Sequence, residues 1–126
     1  MGTPASAEVL WETKNITKAS AGEIIRSGSV ELSGNFVNFV ANGVEGNALL
    51  AVKDELGTIL WSWHIWVTDV PQDHVYKVGD SSYTVQDRNL GAIANERGSG
   101  DEGWLNTIGL EYQWGRKDPF HNQYMQ

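Results

Sequence analysis

The chain has no cysteine among its 126 residues, only nine Lys and Arg, and no apolar run near the length of a membrane span. The first absence excludes disulfides, thiolate metal sites and a cysteine nucleophile, and it hides the redox compartment. The second leaves a formal charge of −7 with no basic cluster. Non-specific binding to nucleic acid or anionic lipid needs clustered cations that displace counterions, so no nucleic-acid partner is expected. The third means that the chain itself is not expected to insert into a membrane. Met1 to Ala7 has neither the basic nor the apolar part of a secretory signal, and residues 1–7 are expected to be disordered or an appended leader.

Catalytic and nucleotide motifs are missing too. There is no Gly-x-Ser-x-Gly elbow, phosphate loop or dinucleotide fingerprint, and Asp and Glu are scattered through turns rather than paired. His64, His74 and His121 are too widely spaced for a zinc motif, so no metal or cofactor is expected. Gly98-Ser99-Gly100-Asp101-Glu102-Gly103 is acidic but lacks the alternating oxygen ligands of a strong calcium loop. Asn15-Ile16-Thr17 is an N-glycosylation sequon by pattern alone.

What the chain does have is 40% hydrophobic and 20% charged residues, enough for one globular domain, and six tryptophans. Short runs rich in Val, Ile, Phe and Trp, separated by Gly, Asn and Ser, predict strands over Glu8–Thr13, Glu23–Leu32, Asn35–Ala41, Asn47–Asp54 and Thr58–Asp69. Glu55-Leu56-Gly57 is a short loop with glycine placed for a bulged turn, which makes Asn47 to Asp69 an antiparallel hairpin. Alternation along its second strand puts Ile59, Trp61, Trp63, Ile65 and Val67 on one face, expected to be the core face. Leu60, Ser62, His64, Trp66 and Thr68 share the other, mixed face, where His64 is expected to be a structural imidazole.

After Asp69 the texture changes. Residues 69–73 predict a turn or linker, Tyr83–Gln86 a short strand, and Asn95–Trp104 a flexible loop. Leu110, Tyr112 and Trp114 alternate with polar residues and favour a strand, with a helical turn from Asn106 as the alternative. The aromatic rings not committed to the core are Trp66, Trp104, Tyr112 and Trp114, the candidate platforms for a sugar or a protein partner.

Three ordered blocks, "EGNALLAVKDELGTILWSWHIWVTD", "TVQDRNLGAI" and "GLEYQWGRKDPF", closely resemble a module of surface proteins of gut Bacteroidetes, including fimbrillin-like lipoproteins. The second part resembles the Fibrobacter succinogenes major paralogous domain. The resemblance spans about residues 8–120. It implies a mainly β fold, with an antiparallel β-sandwich-like segment at 8–69. A loop-rich segment at 70–126, packed on the first, would resemble the start of a C-type-lectin-like fold. Gln86 stands where the family usually has Met. The family's flanking Asn-Cys-Tyr-Ile-Val-type strand and Cys-Pro-Pro-Gly-Trp-type continuation are missing, which implies a truncated module with an incomplete lectin-like half. The enzyme branch of the similar fold depends on active-site cysteines, of which this chain has none.

The resemblance singles out Asp87, Arg88 and Asn89, with Arg116, Lys117 and Asp118, as a signature. Physically, an Arg and an Asp from separate blocks can pair and tie a loop to a strand. Arg88 or Arg116 is therefore expected to bond Asp118 or Asp87 and to fix the second segment against the Trp strand. The function implied is that of a non-enzymatic cell-surface or fimbria-associated module in adhesion or assembly, with a surface protein or a glycan as partner. The alternatives are a carbohydrate-binding module and the receptor-binding part of a phage or secreted fibre. The location implied is extracellular, with the signal or lipid anchor outside this chain.

Overall fold

The computed structural model describes residues 2–14, 21–96 and 98–120, with the backbone only at 101 and 102. In chain order the described elements are β1 (Ser6–Thr13), β2 (Glu31–Ser33), β3 (Phe36–Asn38), β4 (Gly46–Lys53), β5 (Ile59–Val67), β6 (Asp73–Val78), β7 (Ser81–Gln86) and α1 (Gly100–Ile108). The protein is mainly β and its sheets are antiparallel: a three-stranded sheet in the order β1-β4-β5, and the hairpins β2-β3 and β6-β7.

The β4-β5 hairpin is the one the sequence predicts. Asp54 Oδ1 accepts the N–H groups of Leu56 and Thr58, each at 2.9 Å, and Gly57 takes φ +80° to close the turn. β4 is the middle strand and is buried along nearly its whole length, which explains the unbroken run Ala48-Leu49-Leu50-Ala51-Val52. A strand covered on both faces has no solvent side to mark with polar residues. β1 begins at Ser6, inside the stretch expected to be disordered, and Ala5 N–H already bonds the carbonyl of Lys53.

One face of this sheet is covered by residues 21–44. Ile24 and Ile25, fully buried, pack on Ala48, with Val9, Val30, Phe39, Val44, Ile65 and Val67 around them. Burial of each isoleucine contributes about 2 kcal/mol. The predicted strand Glu23–Leu32 is not continuous. The Glu12 carboxylate accepts N–H groups of both Gly22 and Ile25 at 2.6 Å, so the chain turns there and touches Ala41 through a single bridge before β2 begins. The next predicted strand, Asn35–Ala41, shrinks to β3 plus that bridge.

The core face of β5 also needs correction. Ile65 and Val67 reach the Ile24–Ile25 cluster, but Ile59, Trp61 and Trp63 are 47%, 54% and 40% exposed. Alternation correctly puts Trp61 and Trp63 on one face with Ile65 and Val67, but a bulge shifts the register so that Ile59 pairs with Lys53, and Leu60, expected on the other face, lines the same cleft as Trp61 and Trp63. Alternation also says nothing about how far the covering layer extends. Here the layer ends short of the tryptophans.

The second segment differs more. β6 starts at Asp73, where a turn or linker was expected, and the β6-β7 hairpin is exposed along both strands. α1 starts within the predicted loop and runs to Ile108, with Gly109 at φ +80° ending it. No strand forms at 110–114; Glu111 makes a lone bridge to Phe120 around a turn in which Arg116 N–H bonds Gln113 O. Glycine-rich sequence hid the helix, and alternation over so few residues gave a false strand signal. The sequon and His121 lie outside the described residues, as do the side chains of Asp101 and Glu102.

Candidate functional site: a polar seam and an aromatic cleft

Register places Asn47 opposite Trp66, Leu49 opposite His64 and Ala51 opposite Ser62, so these side chains share the sheet face away from Ile24. Residues 88–92 and 117–118 dock on that face. Asn47, fully buried, donates through Nδ2 to the carbonyl of Gly91 (2.7 Å), and its Oδ1 lies 2.7 Å from His64 Nε2. With the amide so oriented, Nε2 is the donor and carries the proton. Gly91 allows this approach: at φ +87°, any Cβ there would lie 2.7 Å from Leu110 Cγ. Trp66 Nε1 donates to Ala92 O at 3.1 Å, which makes this ring part of the seam instead of a free platform.

Burial pushes the His64 imidazole below its ordinary value. The unfolded chain therefore binds a proton more readily, and stability falls as pH drops from about 6.5 toward the lowered folded value. The melting temperature of the wild-type protein should decline between pH 7 and pH 5, and His64→Gln should flatten that decline. Equal pH slopes in the two proteins would contradict the assignment.

Arg88 closes one end of the seam. Its side chain is 3% exposed and makes a two-pronged bond to Asp87 (Nε to Oδ1 2.9 Å, Nη2 to Oδ2 3.2 Å). Nη1 reaches β5's end at Asp69 Oδ1 (2.6 Å) and Thr68 Oγ1 (3.1 Å). Hydrogen bonds from Arg88 are the main reason that Asp87 and Asp69 titrate below the usual carboxylate value; bonds to Asp87 and Asp69 raise the guanidinium. Asn89 Nδ2 donates to Thr107 O, linking this block to α1.

The other end is held by Ser62, Lys117 and Asp118. The Ser62 hydroxyl donates to the Asp118 carboxylate (2.7 Å to Oδ2), and Lys117 Nζ donates to Ser62 O, Ser62 Oγ and Asp118 Oδ1 at 2.6, 2.6 and 2.7 Å. Burial pushes the Asp118 carboxyl up, but the Lys117 and Ser62 bonds outweigh it and the net shift is downward. A lysine beside a serine suggests an activated nucleophile. Here the nitrogen spends three donors on three oxygens, so it has no lone pair facing the hydroxyl to take its proton.

No ion pair among the described residues joins the two blocks to each other, contrary to expectation; each block is tied separately to β5. Arg88 pairs with its neighbour Asp87 and with Asp69, while Asp118 pairs with Lys117 and Ser62. Arg116 instead lies over the Phe120 ring, 3.7 Å from its centroid. Sequence reasoning missed Asn47, though a signal existed: it is the one side chain with hydrogen-bonding groups in an otherwise apolar run, and such a residue sent inward needs a partner.

The remaining candidate platforms do not come together in a described cleft. Trp104 and Tyr112 are half exposed and Trp114 is fully exposed. The rings that do line a cleft are Trp61 and Trp63, on the opposite sheet face. The cleft, about 330 Å³, lies between them and the β2-β3 hairpin, walled by Leu32 and Val37, with Asn35 and Pro4 at its margin. Lys117 Nζ stands 4.7 Å from the Trp61 centroid, so the seam reaches one of the rings that line the cleft. A larger cleft, about 660 Å³, runs along β1 beside residues 21–30. No three His, Asp or Glu side chains among the described residues gather as a metal site. Comparison of the chain with known protein families, curated proteins and solved structures finds no match.

Proposed function

We propose that this chain is a non-catalytic module of a bacterial cell-surface or fimbria-associated protein, acting in adhesion or assembly. The observation that carries this reading is the division of labour between groups. The chemically versatile side chains are engaged in hydrogen bonds along the seam, Ser62, Lys117 and Asp118 with one another, His64 with Asn47, and Arg88 with Asp87 and Asp69, whereas large aromatic rings are left at the surface. Groups tied up in docking favour rigidity, and exposed Trp and Tyr are the residue types that anchor partners. The resemblance to surface modules of gut Bacteroidetes points the same way.

The reading is tested in a native bacterium that encodes the chain. Protease treatment of intact cells should remove the epitope recognised by an antibody against the purified protein, and beads coated with the protein should be retained under flow on mucin or on a bacterial lawn. An epitope digested only after lysis, or beads that wash off both surfaces, would overturn it.

A further inference from the structure

We infer that the cleft over Trp61 and Trp63 is a binding site for a neutral oligosaccharide. The inference deepens the adhesion reading and rests on it. Trp61 and Trp63 are two apart on β5, so both project from one face with their Cα atoms about 7 Å apart along the strand, close enough for one oligosaccharide to reach both rings. They are 54% and 40% exposed, enough to leave ring surface for the C–H face of a sugar. None of the described lining residues is charged, Lys117 beside Trp61 is paired with Asp118, and the chain carries −7 overall, which disfavours an anionic ligand. At the rim, Asn35 has a carboxamide that makes no hydrogen bond among the described residues, a free donor and acceptor for hydroxyl groups.

Other occupants fit less well. A volume of about 330 Å³ lies at the small-ligand end of binding sites, while a stable protein interface buries roughly 800 Å² on each partner. A peptide adding to β5 as a strand would meet Lys117, which already donates to the Ser62 carbonyl in the middle of that strand. Two rings in a row on one strand make a platform; a quaternary ammonium needs rings around it. Lys117, held by Ser62 and Asp118, also packs its ammonium against Trp61 and restrains that ring before any ligand arrives.

The full chain is screened on an array of neutral glycans that includes cello-, xylo-, chito- and malto-oligosaccharides, and each hit is titrated by calorimetry and tryptophan fluorescence. At least one should bind saturably, and Trp61→Ala and Trp63→Ala should each weaken it tenfold or more with little change in melting temperature. Asn35→Ala should weaken it several-fold, and Trp114→Ala, at a fully exposed ring outside the cleft, should leave it unchanged. Absence of binding across the array, or a loss that follows Trp114 instead of Trp61 and Trp63, overturns the assignment. So does loss of self-association in the cleft variants without any saccharide binding. If beads coated with the Trp61→Ala, Trp63→Ala double variant adhere as well as wild type, the saccharide site falls while the adhesion reading stands.

Discussion

Arg88→Met should lower the melting temperature by on the order of 10 °C at pH 7. The guanidinium and the Asp87 carboxylate are 3% and 4% exposed, so removing the cation leaves a buried carboxylate with no counter-charge. Breaking one member of such a pair is far more costly than the pair's net contribution, because the desolvation of the survivor is no longer offset. Asp69 provides the internal control. It accepts from the same guanidinium but is 70% exposed, where water replaces a lost bond, so Asp69→Asn should change the melting temperature little.

The same contact predicts an acid dependence. The folded Asp87 carboxyl titrates below its unfolded value of about 3.9 because Arg88 holds it ionised. A depressed carboxylate contributes stability that is complete above the unfolded value and is lost as pH falls through the folded one. Wild-type protein should therefore lose stability steeply below about pH 4, and Arg88→Met should lose less over that range. Thermal melts of the three proteins from pH 7 to pH 3 check both points. A melting curve for Arg88→Met that overlays wild type at pH 7 would show that the pair does not hold the second segment.

How much of this was legible in the sequence depends on the range of the interaction. The β4-β5 hairpin was readable because a local turn signal, Gly57 after Asp54, joins two long apolar strands whose pairing needs no distant partner. The two faces of β5 were readable from alternation from Trp61 onward, and the bulge that reverses Ile59 and Leu60 was not; the attachment of the second segment to this strand was also readable. The cover over Trp61 and Trp63 was not readable, since it depends on where residues 21–44 settle in space. That placement is set in part by Glu12, a lone carboxylate whose partners are backbone amides with no sequence signature. Of the ion pairs expected, Arg88 with Asp87 forms, while those to Arg116 or Asp118 do not, for a related reason. Arg116 and Arg88 are chemically alike, and only the turn at 113–116 places Arg116 on Phe120 instead of a carboxylate.

Asn47 offers the sharpest separation between a packing role and an electrostatic one. Asn47→Ala removes both the bond to Gly91 O and the acceptor for His64, and leaves a small cavity at a fully buried site. A loss of about 3 kcal/mol is expected. Asn47→Asp is nearly isosteric but places a carboxylate against the imidazole. In the wild-type protein burial holds His64 below its ordinary value, so it contributes a penalty on acidification. In the Asp variant the carboxylate favours the imidazolium, and the His64 value should rise above its unfolded 6.5. A raised histidine contributes stability that is present below the unfolded value and is lost as pH rises through the folded one, opposite in sign to wild type. Asn47→Asp should thus be well below wild type at pH 8, and the gap should narrow as pH falls toward 5.5. Titration of the His64 ring by NMR in both proteins decides the matter. The same midpoint in the two would mean that Asn47 does not contact the imidazole, and the seam would lose its central link.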